Sequence, residues 1–183
     1  LMERAVQVEP AQLERVVAGF VGEIAQVPPM HSALKKDGKA LYEYARAGVE
    51  VEREARRVRI HAIRITGVRL EGDKPEVDLE VECSKGTYIR TLGEDIGEAL
   101  GCGAHLSALR RIRTGGFDAS LCMTVEALEA MSDEQRLACV LPTERLLDGH
   151  VPVTLDSENA ARFLSGMRRR GSWRDAEAVA VFA

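Results

Sequence analysis

Residues Glu76–Cys83 read E-V-D-L-E-V-E-C, with Val77, Leu79, Val81 and Cys83 on one side and four acids on the other. Strict alternation of this kind fits a strand with one face buried and the other in water. Such a strand needs a covering layer, and the chain supplies one directly. The turn Ser84-Lys85-Gly86 leads to Thr87, a residue suited to capping a helix, and then to Ile89, Leu92, Ile96, Ala99 and Leu100 at helical spacing. Gly101 and Gly103 stop that helix. A half-buried strand feeding an amphipathic helix sets the fold class: α+β, a mixed and largely antiparallel sheet flanked by helices.

The remaining pattern agrees with that class. Residues 10–24, PAQLERVVAGFVGEI, place Leu13, Val16, Val17, Phe20 and Ile24 on one helical stripe. Pro28 and Pro29 forbid its continuation, Lys35 to Lys39 read as a polar turn, and a short helix is expected from Ala40 to Ala47. Val58 to Leu70 is β-branched and apolar, but its alternation slips between Ala62 and Ile63, which predicts a bulged strand. AHLSALRRIR, from Ala104, reads as a further strand. Two acidic helices are expected around Val125–Met131 and Asp133–Val140, and VPVTLDSENAARFLSGMRRRG opens a new helix-and-strand unit. At 183 residues the chain suits one domain of typical size, or one plus a fragment.

Cys83, Cys102, Cys122 and Cys139 form no C-x-x-C pair, and His31, His61, His105 and His150 show no metal spacing. Zinc and a disulfide scaffold are therefore disfavoured, and a reducing cytoplasm is the expected setting. No apolar run approaches the length needed to cross a bilayer. The net charge is −4, which taken alone argues against nucleic acid. Its distribution argues differently. His31–Leu70 holds ten Lys or Arg against five Asp or Glu, whereas Asp118–Ala160 holds two against nine. That asymmetry either presents a basic face or is an accidental clustering on a solvated surface.

Chemistry concentrates in two stretches. CSKGTYIR lacks the order and the upstream glycine of a P-loop, which leaves a tight strand-to-helix turn carrying Lys85, Tyr88 and Arg90. A cation in a first helical turn is disfavoured by the macrodipole by roughly 0.3–1 kcal/mol. Arg90 then either pairs with Glu94, in the weaker orientation, or neutralises a functional carboxylate supplied from a distant part of the fold. Asp95, inside the same helix, has the wrong direction for that carboxylate. In PPMHSALKKDGKALYEYARAG, bases interleave with His31, Tyr42 and Tyr44, a pattern suited to RNA phosphates and splayed bases; a solvated loop and amphipathic helix is the plainer alternative. Met167–Gly171, MRRRG, is a phosphate site or a solvated face.

Three stretches, GEIAQVPPMHSALKKDGKALYEYARAG, CSKGTYIRTLGEDIGEALGCGAHLSALRR and LDSENAARFLSGMRRR, together resemble the bacterial TruB-type tRNA pseudouridine synthases over nearly the whole chain. The resemblance implies isomerisation of the T-loop uridine at tRNA position 55, flipped out of its loop, with an aspartate as the catalytic residue and neither metal nor organic cofactor. It implies that Arg90 salt-bridges that aspartate, that Tyr88 is the active-site tyrosine and that Leu109 lines the uracil pocket. Residues 33–61 correspond to the insertion that grips the T-loop, making Lys35, Lys36, Lys39, Tyr42 and Arg46 candidate RNA contacts, with Lys85, in the turn after Cys83, as a further one. Residues 1–150 correspond to the C-terminal part of the catalytic domain, and 151–183 to the start of a truncated PUA-like RNA-binding domain. The family's aspartate motif, resembling G-H-x-G-T-L-D-P, does not occur here; the expectation is a monomeric fragment, inactive by itself, whose partner is the tRNA T-arm. A non-catalytic RNA-binding domain is the alternative.

Overall fold

The computed structural model describes residues 7–72, 74–168 and 171–182. The chain divides into two compact units, the first ending at Leu109 and the second beginning at Arg110.

In the first unit, Pro10 opens α1 (Pro10–Gly19), where its missing N–H costs nothing, and Leu13 and Val17 face inward. The sequence predicts this helix as far as Ile24, but it ends at Gly19 and Gly22–Gln26 forms β1 instead. Two causes combine. Gly22 adopts φ +115°, a conformation that side-chain-bearing residues rarely reach, and the residues beyond it pair with a long central strand. Ile24 still joins the same core, now from a strand. A small hairpin of β2 (Lys35–Lys36) and β3 (Lys39–Ala40) follows, then α2 (Leu41–Arg46), β4 (Arg56–Arg69), β5 (Glu76–Cys83) and α3 (Ile89–Ala99).

The main sheet has the order β1-β4-β5 and is antiparallel throughout. The register of β4 against β5 shifts between Ile60 and Ala62 and again between Ile65 and Gly67, so the expected slip falls at His61, just before its predicted place. The extra residue lets both Ile60 and Ile63 reach the core side, which unbroken alternation forbids. That core joins Leu13, Val17, Ile60, Leu92 and Ile96, with Val77, Leu79, Val81 and Cys83 of β5 against it as predicted. Leu13, Ile60 and Leu92 are fully buried, each contributing about 1.5–3 kcal/mol. The opposite face carries ion pairs: Arg57–Glu23 at 3.0 Å, Arg64–Glu80 at 3.2 Å, and Arg69 with Asp78 at 2.8 Å.

Beyond α3, the strand predicted from Ala104 does not form. Its first residues lie against α3, and only its last, Arg113, joins a strand. A side chain on Gly97 would collide with the backbone of Gly103 and Ala104, so the bare helix surface there admits the chain closely. The Gly103 N–H donates to the Gly97 carbonyl at 2.9 Å, and Leu106 lies over Gly93.

The second unit contains a hairpin of β6 (Arg113–Thr114) and β7 (Phe117–Asp118), the expected acidic helices α4 (Val125–Glu129) and α5 (Asp133–Ala138), then β8 (Val151–Thr154), α6 (Ser157–Leu164) and β9 (Val179–Phe182). Its helices start where side chains accept free N–H groups: Thr124 from Ala127, Ser132 from Gln135, and Asp156 from Asn159. Strands β8 and β9 run parallel, and Val153, Leu155 and Ala160 form a small core with Val181. From Val151 the chain runs strand, helix, strand as β8, α6 and β9. Among the described residues, no helix is long and apolar enough to cross a membrane.

Candidate functional site

The turn between β5 and α3 is fixed before any of its functional side chains is considered. Ser84 closes it onto β4: its N–H donates to the Arg59 carbonyl at 2.8 Å, and its Oγ accepts from the Arg59 N–H at 2.9 Å. The Thr87 hydroxyl donates to the Ser84 carbonyl at 2.9 Å. Thr87 therefore does not cap α3 as its position suggests; Tyr88 occupies the N-cap position and no side chain caps the helix. The hydroxyl is already committed to the tighter loop behind it.

Tyr88 is held from across the fold. Gln26, the last residue of β1 and 2% exposed, accepts from the Tyr88 N–H through Oε1 at 2.8 Å and donates from Nε2 to the Tyr88 carbonyl at 3.1 Å. One amide side chain thereby satisfies both main-chain groups of the residue that starts α3, as a neighbouring strand would. Two residues on, exposed Arg90 donates from Nη2 to the His31 carbonyl at 2.8 Å. Among the described residues Arg90 makes no ion pair, so the Glu94 partnership weighed from sequence is not formed. Asp95, on the same helix, has its carboxyl pushed up by partial burial and by the charge of Glu94.

The segment from Pro28 to Arg53 is more ordered than a polar loop. Lys36 donates to the Glu52 carbonyl at 2.6 Å, and the Tyr44 hydroxyl donates to the Lys36 carbonyl at 3.2 Å. Lys39 stands 4.8 Å from the Tyr44 ring centre and Arg46 5.2 Å from that of Tyr42, both cation–π contacts. Arg53 returns to the root of the segment, donating to the Pro28 carbonyl at 3.1 Å. Lys35, on the hairpin, and Lys85, in the β5–α3 turn, are exposed and have no partner among the described residues.

Of the residues singled out from sequence, Tyr88 and Arg90 meet the Gln26–His31 segment; Lys36, Lys39, Tyr42 and Arg46 cluster around α2; and Leu109 is 64% exposed at the end of the first unit. Arg169 and Arg170 of the MRRRG run lie outside the described residues. Sequence reasoning missed Gln26. Once β1 is known, Gly22, Ile24 and Gln26 share one face of it, so a glutamine stands where an apolar residue is expected. No cluster of metal-ligating side chains occurs among the described residues. In the second unit, an apolar groove of about 580 Å³ is lined by Val153, Leu155, Phe163, Trp173, Val179 and Val181. Arg174 and Asp175 also line it, as does Gly171, the last residue of the MRRRG run.

Comparison with known proteins bears on this geometry. Residues 1–89 match the family described as the TruB family pseudouridylate synthase N-terminal domain, and residues 90–148 the tRNA pseudouridylate synthase B C-terminal domain. The tRNA pseudouridine synthase B of Verminephrobacter eiseniae is 57% identical over 176 residues, covering 96% of this chain and 53% of the relative. That of Ralstonia pickettii is 58% identical over 168 residues, covering 92% and 53%. The chain thus spans about half the length of the curated relatives it matches. A chain of the crystal structure of a Cbf5-Nop10-Gar1 complex superposes with a TM-score of 0.65 at 27% identity, covering 90% of this chain and 46% of that one.

Proposed function

The chain belongs to the TruB family of pseudouridylate synthases, and from that premise we propose that it carries the arginine side of an active site that converts the T-loop uridine at tRNA position 55 to pseudouridine. In that reaction the bond from the ribose to uracil N1 breaks, the base turns, and the ribose carbon rejoins through C5; overall, C5 loses the proton that N1 gains. The step needs a carboxylate beside the ribose and a cation that keeps it ionised and aimed.

Arg90 carries the proposal. Its guanidinium presents five N–H donors, and the bond to the His31 carbonyl leaves a fork free for a carboxylate. Among the described residues it has no acid partner, so a cation in a disfavoured helical position is left uncompensated, which supports the reading that its partner is the catalytic aspartate. The aspartate motif is absent from the 183 residues, so this chain by itself is proposed to have no turnover. Tyr88 flanks the reacting base and Leu109 packs against the uracil. Lys35, Lys36, Lys39, Tyr42, Arg46 and Lys85 contact the T-arm RNA. Residues 151–183 begin a PUA-like RNA-binding domain, and the enzyme works as a cytoplasmic monomer without metal or organic cofactor.

The test is a tRNA pseudouridylation assay with the full-length protein, run with parallel T-arm binding. Arg90→Ala should lower the single-turnover rate on the order of a hundredfold or more and leave most of the affinity. Lost affinity with unchanged chemistry would make Arg90 a phosphate contact instead. Binding without any pseudouridine from the unmutated protein would favour a non-catalytic RNA-binding domain.

A further inference from the structure

The least accessible polar side chain at the site touches no proposed substrate. Gln26 is 2% exposed, yet its whole visible purpose is to bracket the main chain of Tyr88, 62 residues away. A buried amide is costly unless both its ends are paired, and here one end accepts and the other donates. Tyr88 stands at the extended residue before α3, where a helix start has free N–H groups and where no side chain caps the turn.

The same short segment is tied to the turn a second time. Gln26 holds Tyr88, and five residues later the His31 carbonyl takes a hydrogen bond from Arg90. Pro28 and Pro29 stiffen the chain between these points, and the Pro28 carbonyl also receives Arg53 from the far side of the basic insertion. The β1 exit and the α3 start are therefore joined at two points, and the root of the insertion is joined to both.

We infer that Gln26 is a positioning residue: its amide sets the Tyr88 backbone, and through it the direction in which Arg90 leaves α3. This rests on the reading of Arg90 as the arginine that aims a catalytic carboxylate. A guanidinium two residues from the clasp is sensitive to small rotations there, and misplacement by about 1 Å can cost on the order of a hundredfold in rate.

The experiment uses the full-length protein with Gln26→Met, which keeps the length and removes the amide, and Gln26→Asn, which keeps the amide and is one methylene too short. Both should lower the single-turnover pseudouridylation rate at saturating tRNA by about tenfold or more while the T-arm Kd stays within about twofold. Hydrogen exchange gives a readout independent of activity. The Tyr88 amide should lose protection in both variants while that of Ile96, further along α3 and in the core, keeps its protection. Wild-type rates in Gln26→Asn would mean that polarity alone suffices and would overturn the inference. So would unchanged Tyr88 exchange, or a rate loss matched by lost protection at Ile96, which would mark a general folding role. If the unmutated protein makes no pseudouridine, the reading of Arg90 falls, and the exchange result still decides whether the clasp exists.

Discussion

Arg90 and Lys36 each donate a hydrogen bond to a main-chain carbonyl, but over different spans and in different company. Arg90 reaches His31 across 59 residues, beside an amide clasp that bridges 62, on a helix whose inner face holds the fully buried Leu92. Lys36 reaches Glu52 over 16 residues, and its neighbours Lys39 and Arg46 rest on Tyr44 and Tyr42 a few positions away. The turn before α3 is thus held across the sheet, whereas the cations Lys36, Lys39 and Arg46 are held by contacts within the insertion. Long-range bonds, anchored here by the buried Gln26 amide, fix direction, which aiming a single carboxylate requires. Short-range exposed contacts yield at low cost, which suits cations that must follow the irregular backbone of an RNA loop.

If that contrast is right, the two regions respond differently to the same conservative exchange. Arg90→Lys keeps the charge and loses the planar fork, so the single-turnover rate should fall on the order of ten- to a hundredfold. Arg46→Lys, which makes the same exchange in the insertion, should leave both rate and affinity within about twofold. Equal losses at the two positions would erase the distinction. A smaller effect per residue is expected from the insertion as a group. Replacing Lys35, Lys36, Lys39 and Arg46 together by Ala should weaken T-arm binding and flatten its dependence on log salt, by up to about 0.7–0.9 for each phosphate no longer neutralised. The chemical step at saturating RNA should stay near its original rate. An unchanged salt slope would mean that these four cations touch no phosphate.

The contrast also separates what could be read in the sequence from what could not. The strand Glu76–Cys83 and the helix after it were legible because period-2 and helical spacing record which face is buried, and Val77, Leu79, Val81 and Leu92 do line the core. Ile24 misled, since it continues the stripe of α1 by spacing yet reaches the core from β1. Only the pairing of Ile24 with Val58 decides between the two, and pairing is non-local. Ala104–Ile112 misled for a related reason: the residue pattern shows that a strand is possible, not that a neighbour exists to pair with it; only Arg113 of the predicted strand pairs, in β6. The basic and aromatic residues of the insertion were legible as a group from composition, whereas the stacking of Arg46 on Tyr42 depends on the turn of α2. Gln26 was hardest to find, because a glutamine ahead of two prolines reads as loop until its partner is known.

The smallest expected effect lies on α3 itself. Partial burial, then the neighbouring Glu94, pushes the Asp95 carboxyl above its ordinary value. Between that ordinary value and the raised one, the folded protein holds more protons than the unfolded chain, so this group's contribution to stability falls as pH rises through the raised value. Asp95→Asn removes the penalty. The variant should match the wild type below the ordinary carboxylate range and be the more stable protein at neutral pH, by on the order of a few tenths of a kcal/mol because the site is open to solvent. Thermal unfolding of both proteins across acid and neutral pH checks this. A variant less stable at neutral pH would mean that the Asp95 carboxylate has a favourable partner in the folded protein.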